Sequence, residues 1–212
     1  MSPFRSTQAY SPRGIRRPGV ALIPMSLRRS VVTGAIGFSI VSLCVFATVA
    51  LAQRWMYDRL GVTGAYIAWL TLFILLGGRA LLPVVAGARR LSFYATFGVA
   101  FLAYGISWIA AYFSSTDMAG QWLGSLAGSI AMALVFSAAF SAIRSAPLFS
   151  LLLFATNSVG YFLGSVFYYT LGRPAGLLLW GAFYGLCLGA GLGAVLHVAQ
   201  SRQKSRISDE QG

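Results

Sequence analysis

Asn157, in the string Ala155-Thr156-Asn157-Ser158, is an amide set well inside an apolar stretch of this 212-residue chain. An unpaired amide in hydrocarbon costs roughly 4 to 8 kcal/mol, so Asn157 must be hydrogen-bonded. Ser125 and Ser129, on the preceding apolar stretch, and Tyr161, one turn further along its own, are the expected partners. A bond of this kind either glues helices together or meets a solute. Arg79 is the second such position, because it follows Gly77-Gly78 while still inside an apolar stretch. No acidic residue lies in any such stretch to pair with it, and a bare arginine there is expensive. Two readings stay open: its stretch ends near Gly78, Arg79 snorkels to lipid phosphates and residues 80–90 lie along the interface, or carbonyls hold it inside as an anion contact.

Hydrolytic and cofactor chemistry find no footing. A serine nucleophile needs a base within hydrogen-bond reach. Ser125 and Ser129 fall in one half of their stretch, whereas the lone His197 ends the last stretch at the opposite face, so an intramembrane hydrolase is excluded on depth. One histidine, with Cys44 and Cys187 as the two cysteines, supplies neither a haem site nor a multi-ligand metal site. Coupled transport commonly uses an intramembrane carboxylate, and this chain carries none there. No catalytic, cofactor or metal residue is therefore expected, and the chain reads as a non-enzyme.

These residues must be positioned inside a bilayer. The chain is 58% hydrophobic and 9% charged, with a mean hydropathy of +0.74, against about a quarter charged in a soluble domain. Apolar stretches of about 20 residues, the length that crosses a bilayer, recur six times: 31–52, 62–86, 91–113, 120–143, 147–170 and 176–198. The expected fold is all-α, an integral membrane bundle of six transmembrane helices occupying residues 30–199. It is preceded by a disordered basic arm at 1–29, unless Met25 is the true start, and followed by a polar tail at 200–212.

The net charge of +12 does not point to nucleic acid, because the basic residues fall between apolar stretches and there set orientation. With the N-terminus inside, Arg5, Arg13, Arg16, Arg17, Arg28, Arg29, Arg89, Arg90, Arg144, Arg202, Lys204 and Arg206 are cytoplasmic. Arg54, Arg59 and Arg173 are outside. That bias predicts both termini in the cytoplasm, with the chain in a bacterial cytoplasmic (inner) membrane. Its partners are then the lipid bilayer, anionic lipid at the basic cytoplasmic segments, and another membrane protein or a second copy of the chain.

The last stretch carries glycine at every fourth position: Gly181, Gly185, Gly189 and Gly193. The fourth carries Gly120, Gly124 and Gly128, and the fifth Gly160 and Gly164. Small residues at this spacing let membrane helices approach closely, so the C-terminal three helices are expected to pack as one glycine-rich unit. Two functions remain. The first is a non-enzymatic accessory, assembly or scaffold component that presents glycine faces or basic segments to a partner. The alternative is an uncoupled small channel or permease for a neutral or anionic solute, lined by Asn157, Arg79 and the glycine faces.

Overall fold

The structure, a computed structural model, describes residues 25–85, 89–115 and 117–209. The readings of residues 1–24, including the disordered arm, lie outside the described residues. The described residues are 92% helix, and among them are five helices long and apolar enough to cross a membrane. They are α1 (Leu27–Leu81), α2 (Arg90–Tyr112), α3 (Met118–Ala139), α4 (Ala146–Leu171) and α5 (Ala175–Asp209). α1 starts inside the segment read as an arm, because the Ser26 side chain caps it by accepting the Arg29 N–H at 3.3 Å. At the other end, α5 runs past Val198 to Asp209. α3 starts at Asp117, whose carboxylate accepts the Gly120 N–H at 2.9 Å and the Ser115 hydroxyl at 2.7 Å. Those bonds, the Gly120 N–H first, hold the Asp117 pKa below the usual aspartate range.

The first two expected spans are joined without a loop, since the connector 53–60 is helical and belongs to α1. The break within α1 is Gly61, at φ 69° and ψ 173°, a region open essentially to glycine alone. There the chain folds back on itself. Phe38 and Phe73 stack at 6.0 Å, whereas 35 residues of uninterrupted helix would hold them about 52 Å apart. Residues 27–60 and 62–81 are therefore two antiparallel arms.

The arms and helices form a ring in which α5 packs between the first arm and α4, and α3 between α4 and α2. Phe73 on the second arm stacks on Phe101 of α2 at 5.3 Å and closes it. The glycines lie at these seams, but their pairing departs from a C-terminal three-helix unit. The ladder of α5 faces the first arm of α1. A Cβ at Gly185 would fall 2.5 Å from the Phe38 carbonyl, and Cβ atoms at Gly189 and Gly193 would collide with the carbonyls of Gly34 and Ser30. Gly181 packs on Phe46. Gly120, Gly124 and Gly128 face Tyr112, Trp108 and Tyr104 of α2, while Gly160 and Gly164 face Tyr184, Cys187 and Trp180 of α5. A glycine groove dictates how near a neighbour comes and is indifferent to which neighbour it is.

The half of the ring toward the start of α1 is filled by apolar side chains, among them Phe38, Phe97, Met132, Phe136, Phe149 and Leu192, all fully buried. Arg28, Arg29, Arg89, Arg90, Arg144 and Arg202 are exposed around that end.

Candidate functional site

At the middle of the ring, four helices meet through one polar cluster. Asn157 is fully buried and lies eleven residues into α4, about 17 Å along a helix of about 39 Å. Its amide N–H donates to Ser125 Oγ of α3 at 2.8 Å. Its carbonyl Oδ1 accepts two phenol hydroxyls, Tyr104 of α2 at 2.9 Å and Tyr184 of α5 at 3.1 Å. The two phenol oxygens are 3.3 Å apart, and Ser125 Oγ is 2.8 Å from the hydroxyl of Ser158. Both lone pairs of the Asn157 carbonyl are thus filled, and α2, α3, α4 and α5 are tied at one depth.

Of the partners expected for Asn157, Ser125 bonds to it. Ser129 is buried one turn away with a hydroxyl that has no partner among the described residues. Tyr161 points elsewhere, packing edge-on against Trp180 at 5.5 Å. The residues missed from sequence are Tyr104 and Tyr184. No sequence signal marks them: only in the structure does Tyr104 face Gly128, and Tyr184 lie one turn before Leu188 on the buried face of α5. Chemically, the cluster is an enclosed network in which a neutral amide satisfies neutral hydroxyls. It holds no nucleophile–base pair and no charge.

Arg79 is exposed on the last turn of α1, which runs on to Leu81 before a 3₁₀ turn at Leu82–Val84. The helix does not stop at Gly78, and no carbonyl holds the guanidinium among the described residues. Gly77 and Gly78 are taken up by packing, because Phe38, Phe97 and Tyr94 occupy the space their side chains would fill.

A second polar region lies at the opposite end from the exposed arginines of the termini. A groove of about 550 Å³ is lined by Val49, Ala50, Leu51, Gln53, Arg54, Tyr57, Asp58, Arg173 and Pro174. Arg173, in the turn between α4 and α5, donates through Nη2 to the Val49 carbonyl at 3.1 Å and to Gln53 Oε1. Gln53 in turn donates to the Tyr57 hydroxyl at 2.8 Å. One guanidinium is thereby fastened across the mouth of the bundle.

Compared with family models, curated proteins and solved structures, the chain matches none.

Proposed function

We propose that the protein is a six-crossing integral membrane protein of a bacterial cytoplasmic membrane, with both termini cytoplasmic, that works as a non-enzymatic accessory or scaffold component. The observation that carries this reading is the closure of the interior. The buried cluster around Asn157 bonds to itself, and beneath it the ring is plugged by fully buried phenylalanines. A solute route needs connected polar atoms from face to face, and among the described residues the Asn157 cluster is walled off on one side by that apolar plug. The reversal at Gly61 supports six crossings, since the second arm returns alongside the first toward the end that carries Arg28 and Arg29, bringing Ala80 against Gly37. The charge bias between the two ends supports the orientation.

The glycine faces lie at seams within the chain, so the surfaces left for a partner are the lipid-facing apolar ridges and the arginine-rich end. On the ridges, Leu51, Leu151, Val166 and Tyr169 are strongly exposed. The test is purification of the full chain in nanodiscs, with mass by light scattering, identification of copurifying protein, and solute flux in liposomes. A defined assembly or a stoichiometric partner, without flux, is the expected result. Saturable flux that Asn157→Leu abolishes would overturn the reading in favour of a permease, and a bare monomer with no partner would overturn it outright.

A further inference from the structure

The groove beside Arg173 has an unused set of charges at a telling depth. Gly181 packs on Phe46 and Arg173 bonds to Val49, so the start of α5 is level with residues 46–51 of α1. Twenty residues of helix from Val31 cross about 30 Å of hydrocarbon and end at the same level. Below it the groove wall is Val49, Ala50 and Leu51, the last 73% exposed toward the lipid side. Above it stand Gln53, Arg54, Tyr57 and Asp58, on the part of the first arm that projects past the apolar stretch. The groove is apolar where acyl chains lie and charged where headgroups lie.

The charges are uncommitted. Arg54 and Asp58 are exposed and have no hydrogen-bond or ion-pair partner among the described residues, although they are one helical turn apart. Arg173 spends only Nη2 on Val49 and Gln53, so its remaining N–H groups are free to bind. Two guanidiniums suit a phosphodiester, for which arginine has the matching donor fork. A lone carboxylate one helical turn from one of them, at the i,i+4 spacing that sets Cβ atoms about 6 Å apart, suits an ammonium a short link away from that phosphate.

We propose that this groove binds the headgroup of a zwitterionic phospholipid bearing a primary ammonium. Its phosphodiester lies between Arg54 and Arg173, its ammonium on Asp58, and one acyl chain along Leu51. The inference rests on the membrane reading and is independent of whether the protein scaffolds a partner. Its test is native mass spectrometry of the full chain released from detergent, titrated with phosphatidylethanolamine or phosphatidylglycerol, with soluble phosphoethanolamine as competitor. One phosphatidylethanolamine should be retained about fivefold more tightly than phosphatidylglycerol, the size of effect that exposed charge pairs give. Asp58→Asn should erase that preference while both lipids still bind, and Arg54→Gln should weaken both about fivefold. Neither side chain makes a contact the fold depends on, so both variants should elute as the wild type does.

Equal or tighter binding of phosphatidylglycerol by the wild type would overturn the proposal, as would a preference that survives Asp58→Asn. Competition by soluble phosphoethanolamine at millimolar concentration would reassign the site to a free phosphorylated amine. A failed partner search leaves these readouts untouched, so the two readings fail separately.

Discussion

Replacing Asn157 with leucine keeps the size of the side chain and removes three hydrogen bonds at once: those from Tyr104 at 2.9 Å and Tyr184 at 3.1 Å, and that to Ser125 at 2.8 Å. Side-chain hydrogen bonds between membrane helices average about 0.6 kcal/mol each and reach about 1.7. The expected loss is therefore about 2 kcal/mol, with a ceiling near 5, or roughly a 30-fold shift in the unfolding equilibrium at the central value. The loss stays moderate because the Tyr104–Tyr184 contact at 3.3 Å and the Ser125–Ser158 bond at 2.8 Å survive, so no hydroxyl is stranded. The assay is unfolding in mixed micelles of increasing SDS fraction, read by tryptophan fluorescence. A double-mutant cycle with Ser125→Ala should return a coupling of about 0.6 kcal/mol, because the cycle isolates the one shared bond. If Asn157→Leu unfolds within about 0.3 kcal/mol of wild type and the coupling vanishes, the cluster does not hold α2 to α5 together and the reasoning is refuted.

The glycine seams predict that Gly185→Leu prevents folding of the single chain, since its Cβ would fall 2.5 Å from the Phe38 carbonyl and the Ser42 Cβ. A folded monomer released from an assembly would contradict this in gel filtration. Gly61→Ala should cost about 1 to 3 kcal/mol in the same SDS titration, the penalty for a Cβ in that backbone region, although nothing crowds the position. By contrast, Gly105→Ala, at a helical position with no atom within 4 Å of the added Cβ, should be neutral or stabilising by up to about 1 kcal/mol. For Asp117 the folded carboxyl titrates below its unfolded value, so its contribution is present above the ordinary aspartate pKa of about 3.9 and is lost as pH falls through the lower folded value. Asp117→Ala should thus be less stable than wild type at pH 7, and the gap should close toward pH 2 in thermal unfolding followed by circular dichroism.

Much of the architecture is legible from composition alone, because a bilayer permits few solutions. Apolar stretches of about 20 residues that must satisfy every backbone group internally can only be helices, and the helices begin and end near Ser26, Asp117 and Gly172, where capping groups and glycine stand. An amide at Asn157 has to be bonded somewhere, and that too follows from the cost of leaving it bare. What the sequence leaves undetermined is rotation and partnership. Tyr104 and Tyr184 lie 53 and 27 residues from Asn157, and nothing local distinguishes them from the chain's other tyrosines until the helices acquire a phase about their axes. The ladder from Gly181 to Gly193 specifies a close approach yet not its recipient, so only packing could assign it to residues 30–46 of α1 instead of to α3 and α4. Gly61 reverses the chain inside what reads as a polar connector, and Arg173 reaches Val49 and Gln53 across more than 100 residues of sequence. Local chemistry determined which groups need a partner, whereas the choice of partner depends on distances between helices that exist only once the ring has closed.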